Sequence, residues 1–500
     1  MRIAPLVILV LSSSNNPTGE GQMSHTHASP TTRKGRRRTR QVALGTVATL
    51  LGVLPGAFAG AAQAAPTAPP PVTVLSSQPN IGQGDIFVSP FGDSSTYANG
   101  PEILDSHGNV VWFQLVPAGE EASDFRTQTY QGQPVLTFWQ GTGLGGLASG
   151  TDYIYNNHYQ QIAAVNAGNG LSADGHEFLI TPWNTALILS YTTATVDLSS
   201  IGGPADQTVV DGVVQEVDIA TGKVLFQWNS ADHVPYSQSE QPLPASASTP
   251  WDWFHINAVK LDTDGNLLID ARDTWTTYKV SLTSGNVIWQ LGGKDSDFTV
   301  QAAPGQTLDS ANQIFAWQHD PEPVGNNEYT FFDNESSGTA LLPYSRAITV
   351  KLNPWSKVAT LVASNNQPEG LSAASQGNAQ TTGDGNLFVG WGILPYISEF
   401  DIQGNLIFNA EFPAGVNTYR AYLLPWNPPG SGQGGPKGPG GGQGGNGPGG
   451  GQGSGPGSKG SRGGHGGSNG GHSGSKYSGK SHHKGQRFDR GKGLGRRGGR

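Results

Sequence analysis

A glycine turn leading into a short strand, often with an aromatic, recurs four times along this chain. That repeat constrains the fold more than any other feature. The copies are HGNVVWFQ (107–114), TGKVLFQW (221–228), SGNVIWQL (284–291) and QGNLIFNA (403–410). A second signal, DGNLLIDA (264–271) and DGNLFVGW (384–391), has the form of a tight hairpin. Around these, short alternating or apolar runs are separated by Gly, Asn, Asp and Pro turns, with little helical periodicity. The clearest unit, residues 255–292, reads as four strands at about 255–261, 266–272, 275–281 and 286–291. Repeated four-stranded antiparallel units are propeller blades, each burying its apolar faces against its neighbours. Similar units near 75–115, 124–167, 173–228, 255–292, 314–363 and 375–413 predict an all-β fold. The expectation is a six-bladed β-propeller of four-stranded antiparallel blades within residues 75–427, with a β-sandwich as the alternative.

The two ends do not share the pattern. Residues 33–40 read RKGRRRTR, an apolar stretch follows from Val42 to Ala59, and Ala62-Gln63-Ala64 is an A-x-A cleavage signal. Basic, apolar and small residues in that order predict a secretory signal over 1–64, cut near Ala64, and a secreted, extracellular protein. A start at Met23 would give that signal a normal length. The pairs Arg36-Arg37 and Arg37-Arg38 keep the twin-arginine route open beside the general one. Residues 65–74, with PTAPPP at 66–71, read as an extended Pro-rich spacer. Residues 428–500 hold 32 glycines and predict a disordered, basic, Gly-rich tail that cannot bury enough apolar surface to offset its chain entropy. A tether to cell wall or another anionic polymer and a plain solubilising tail are its two readings.

The net charge of −8 hides this division. The two ends hold nineteen of the 29 Lys and Arg but two of the 37 Asp and Glu, so residues 65–427 carry a net −25. Such a surface repels nucleic acid and anionic membranes, and no membrane span is expected in the mature chain. It also makes the four core arginines, Arg126, Arg272, Arg346 and Arg420, informative. The chain has no cysteine, which excludes disulfides, thiolate catalysis and Cys-based metal sites.

Six histidines lie in the core, and three begin inner strands of consecutive blades. They stand in ADGHEFLI (173–180), WDWFHINAV (251–259) and FAWQHDPEP (315–323). Inner strands line a propeller's channel, so His176, His255 and His319 should converge at one mouth. His255 and Asn257, two apart on a strand, should share a face. Folding the hairpin about Asp262–Gly265 sets Arg272 opposite His255. The same operation sets His319 near Phe332, Asp333 or Asn334, one of which would orient its ring. Arg272 suits a tetrahedral oxyanion, and it disfavours protonation of a neighbouring histidine, leaving a lone pair free to attack. A lone histidine at a strand start is usually structural; three in one register beside a scarce arginine is the stronger signal. A three-His metal site is a second reading, against which Arg272 would repel the cation. Asp262–Asn266 resembles part of a calcium loop but lacks the later Glu, so a hairpin turn is expected. Trp251, Trp253, Trp275 and Trp317 flank the cluster and would serve either a substrate or blade packing.

DGHEFLIT, DWFHINAV, LIDARDTWTTYKV, SGNVIWQLGG and FAWQHDPE, followed by FFDN at 331–334, resemble the PAPS-independent arylsulfotransferases of bacteria, in the branch of actinobacteria and fungi. The likeness runs over about residues 75–415. It implies a six-bladed propeller with its site in the channel and no cofactor. It also implies transfer of a sulfuryl group from a phenolic sulfate ester to a phenol by a ping-pong route through a sulfohistidine. By motif, His319 matches the sulfated histidine, His255 and Arg272 match catalytic partners, and His176 and Asn257 match residues that bind the sulfuryl group. Asp273 departs from the pattern, placing an acid where a neutral polar residue is expected. A non-catalytic secreted propeller that binds a cell-wall polymer or small anion is the alternative.

Overall fold

The computed structural model describes residues 66–144 and 147–428. The segment expected as an export signal (1–64) and, beyond Pro428, the Gly-rich tail lie outside the described residues. Six antiparallel sheets of at least four strands follow one another around a ring, as the repeat predicts. Among the described residues there is no α-helix, and none long and apolar enough to cross a membrane. The unit read at 255–292 consists of Ile256–Leu261, Leu267–Ala271, Thr276–Val280 and Val287–Gly292. Its first hairpin turns at Asp262–Gly265, where Gly265 sits at φ 81°, a backbone state that costs glycine little. The calcium-loop likeness resolves here: Lys279 Nζ lies 2.6 Å from Asp262 and 2.8 Å from Asp264, where a cation would bind.

Ring closure departs from the simple reading. The C-terminal strand Asn417–Leu424 is the innermost strand of the first blade, pairing with Asp85–Phe91, which continues to Glu102–Leu104 and Val110–Phe113. The N-terminal strand Thr73–Ser77 pairs instead with Leu406–Glu411 at the outer edge of the last blade. Residues 75–77 therefore leave the first blade, and the strand begins within the stretch read as spacer. Strands from both ends thus tie the first and last blades together. Two further strands add in parallel: Thr299–Ala302 to Val358–Asn366 at the outer edge of its blade, and Trp251–Asp252 to Gln207–Asp218.

The buried apolar side chains fall into six clusters, one for each interface between neighbouring blades. Trp228, Trp253 and Tyr278 fill the interface of the third and fourth blades, and Phe332 and Trp391 that of the fifth and sixth. Burying each such ring contributes about 1.5–3 kcal/mol relative to exposure. Trp251 and Trp253 are thereby packing residues.

The inner strands are Glu121–Tyr130, Phe178–Ile180, Ile256–Leu261, His319–Gly325, Asn378–Thr381 and Asn417–Leu424. Midway along them, charged side chains meet. Arg420 lies 2.9 Å from Glu177, 3.2 Å from Asp124 and 3.4 Å from Asp320. Lys260 lies within 2.9 Å of Glu177, Asp320 and Glu322, and Arg126 pairs with Asp124 and Glu177. Burial raises the Glu177 carboxyl, but Arg420, Lys260 and Arg126 outweigh it and hold the group down to about 2. Burial raises Asp124 and Glu322 above the ordinary carboxylate range, against the pull of the neighbouring Arg and Lys charges.

Candidate active site

At the mouth where the inner strands begin, a cavity of about 210 Å³ is lined by His176, His255, Arg272 and His319, together with Ser375, Gln376 and Tyr419. The three predicted histidines and the predicted arginine are thus brought together. The His176 and His255 rings stand 5.3 Å apart and nearly perpendicular, and Tyr419 is 5.4 Å from His176 and 6.5 Å from His319.

His319 lies opposite Phe332 in the register of the fifth blade. Its Nδ1 is 2.7 Å from Asn334 Oδ1 and 3.1 Å from the Trp317 carbonyl oxygen. Both are acceptors, so Nδ1 carries the proton. The Gln376 N–H donates to Nε2 over 3.1 Å, which marks Nε2 as the lone-pair nitrogen at the cavity. Burial first, then the Arg272 charge, pushes the His319 pKa well below the usual imidazole value, so the ring is neutral. Asn334 also donates to the Ala373 and Gln376 carbonyls, holding the 373–376 loop against the ring. Glycine at 377 permits this approach: a Cβ there, at φ 105°, would meet the Phe332 ring at 2.5 Å.

The other two histidines are braced differently. His176 Nδ1 bonds Asp174 Oδ1, and His255 Nδ1 bonds Asp252 Oδ2 at 2.6 Å. For His255 burial lowers the pKa, but the Asp252 charge and hydrogen bond outweigh it and raise the group above its ordinary value. Each ring then presents Nε2 as a hydrogen-bond donor when protonated. His255 sits at φ 50°, a left-handed state disfavoured for a residue with a Cβ.

That backbone state separates His255 from Asn257. The ladder is bulged between Ile256 and Ala258, which breaks the alternation. Asn257 does not line the cavity; its Nδ2 donates to the Gln318 carbonyl at 2.7 Å, steadying the backbone that leads into His319. The shared face predicted for His255 and Asn257 is corrected accordingly. Arg272 does stand opposite His255, its N–H donating to the His255 carbonyl at 3.0 Å. Its Nη1 bonds Asp273 at 2.6 Å and its Nη2 the Ala374 carbonyl at 3.1 Å. Its Nε has no partner among the described residues. Asp273, the departure from the family pattern, also accepts from Gln241 Nε2 and acts as the clamp that aims the guanidinium. Trp275 and Trp317 pack on each other at 4.6 Å beside these residues.

The three histidines do not form a metal-ligand group. Among the described residues the one set with suitable spacing is Asp252, His255 and Asp273, whose ligand atoms lie within 4.8 Å. Those carboxylates already bond His255 and Arg272. Sequence reasoning missed Asp174, Asp252, Gln376 and Tyr419. The D-x-H and D-x-x-H spacings could have revealed the two acids. Tyr419 depends on the ring-closing strand, and Gln376 acts through its backbone, which has no residue signature.

A family model described as arylsulfotransferase (ASST) matches residues 126–413, more than half of the chain and every predicted site residue. No curated protein matches the chain. Similar solved structures include a protein of unknown function from Bacteroides caccae, at 11% identity and TM-score 0.41, covering 68% of this chain and 98% of that one. Another is a catalytically inactive virginiamycin B lyase from Staphylococcus aureus with quinupristin, at 9% and 0.34, covering 68% and 88%. A third is a putative 6-phosphogluconolactonase from Bacteroides uniformis, at 10% and 0.35, covering 68% and 100%. At these values the structural likenesses carry no argument about chemistry.

Proposed function

The chain belongs to the arylsulfotransferase family, and from that premise we propose that it moves a sulfuryl group from a phenolic sulfate ester to a phenol through His319. The observation that carries the reading is the state of His319: a neutral ring, its proton held on Nδ1 by Asn334, its Nε2 lone pair at a cavity shared with Arg272. In the first half-reaction Nε2 releases the Gln376 N–H and attacks sulfur. The N–S bond forms as the S–O(aryl) bond breaks. The phenolate leaves with that electron pair and takes a proton from His255 or His176, whose Nδ1 atoms are held by carboxylates. Arg272 and Tyr419 stabilise charge spread over the three sulfuryl oxygens, as donors do in phosphoryl transfer. In the second half a phenol gives its proton to the same histidine and attacks sulfur, and His319 leaves as the neutral ring. No nucleotide or metal enters these steps. We also propose that the protein acts outside the cell, on the strength of the basic, apolar and A-x-A order before residue 65.

The test is p-nitrophenyl sulfate with and without added phenol, beside His319→Asn. Nitrophenol release should require phenol and fall by at least about 10³-fold in the variant, with an unchanged melting temperature. Undiminished turnover in the variant would remove His319 as nucleophile. Absence of release with any phenol would favour a binding protein for small anions.

A further inference from the structure

The opposite end of the channel holds a second and larger recess, about 700 Å³, that the transfer chemistry does not use. It lies where the inner strands end rather than begin. Its wall includes Gln128 and Thr129, Ile180 and Thr181, Pro323 and Val324, from the ends of the inner strands of the second, third and fifth blades. The seven-residue ion cluster of Asp124, Arg126, Glu177, Lys260, Asp320, Glu322 and Arg420 stands between the two recesses.

Four observations define what this recess would accept. Its walls are set rigidly by amides spent on the backbone of the next blade: Gln128 Oε1 accepts from Ile180 N–H at 2.7 Å, and Gln380 bonds both ways with Leu423. Onto those walls the threonines Thr127, Thr129 and Thr381 add small neutral hydroxyls, able both to donate and to accept, interleaved with apolar Ile180, Pro323 and Leu424. The charged groups at its floor, Arg126 and Glu322, are already ion-paired, and the strongly acidic core disfavours an anion. Pro182 and Asn184 line the recess, and Trp183, between them in the chain, is 56% exposed. Neutral hydroxyls, apolar steps and an exposed indole together suit a ligand with hydroxyls at its edges and C–H faces between them.

We propose that this far mouth binds a neutral saccharide chain, seated on Trp183 and hydrogen-bonded by the threonine hydroxyls. The site is independent of the sulfuryl-transfer reading, since the two recesses share no lining residue and the ion cluster stands between them. The probes are the neutral hexaoses of glucose (β-1,4 and α-1,4), xylose, mannose and N-acetylglucosamine, titrated calorimetrically into the full-length chain. At least one should bind, with a dissociation constant below about 1 mM. Trp183→Ala and Thr381→Trp, which removes the platform and fills the recess respectively, should each weaken it at least tenfold at unchanged melting temperature. His319→Asn should bind the hexaose as the parent does, and p-nitrophenyl sulfate should not compete. Failure of every hexaose, undiminished binding by both far-mouth variants, or competition by the aryl sulfate would each overturn the proposal.

Discussion

Two buried polar regions lie one above the other in the same channel, drawn largely from the same blades, and they are assembled on opposite principles. In the ion cluster the groups face one another: Glu177 alone lies within ion-pair distance of Arg126, Lys260 and Arg420. In the cavity above, each group is held from behind. Asn334 holds His319, Asp252 holds His255, Asp174 holds His176, and Asp273 holds Arg272. Glu177 and His176 are neighbours in sequence and fall on opposite sides of this division. Burial and charge alone therefore do not mark a site. What marks it is a set of groups held from behind that face one shared open space, here His319, His255, His176 and Arg272 around the cavity.

The comparison breaks most visibly at Glu177. Glu177→Gln removes the carboxylate that three buried cations share and should cost about 3–5 kcal/mol of stability, a large part of what a domain has. Chemical denaturation would show a lower midpoint. The same carboxylate gives an acid limit. Its folded pKa of about 2 lies below the ordinary 4.5. Its stabilisation is thus complete above about 4.5 and is lost as pH falls towards 2. If Glu177→Gln unfolds at the parent's denaturant concentration, the cluster is not structural.

A substitution at Asn334 tests the contrast between histidines. Asn334→Asp converts His319 to the carboxylate-braced kind and removes the amide donors to Ala373 and Gln376. Turnover should fall about 10–100-fold, as for loss of an orienting partner. The pKa of His319 should rise, so the loss is greatest at acid pH and shrinks as pH increases. An equal loss at every pH would mean that Asn334 positions the loop and does not set the protonation state.

The smallest effect is expected at Asp252. The raised pKa of His255 keeps it protonated to higher pH than an ordinary imidazole, and donor-half turnover should decline as pH rises through that value. Asp252→Asn removes the charge that raises it, so this decline should move to lower pH with a modest change in maximal rate. A profile that does not move would assign the leaving-group proton to His176.

Much of this was legible before any coordinates. The strands of the 255–292 unit fall within a residue or two of the turns that announced them, because Asp-Gly and Ser-Gly turns punctuate the chain locally. The pairing of Arg272 with His255 followed from counting back around one hairpin. The position of Asn257 did not, since a left-handed His255 and a bulge interrupt the count of two. Tyr419 was invisible for another reason: its strand joins a blade whose other strands lie over 300 residues earlier, and no local signal reports that closure.

By itself, then, the sequence determined the blades, the acidity of the core and the register of three histidines, all consequences of short-range pattern and composition. Only the tertiary structure decided which histidine is neutral, which acids brace the others, and where the chain ends close the ring. Those depend on contacts between strands far apart in the chain, and the energy of a buried charge is set by everything that surrounds it.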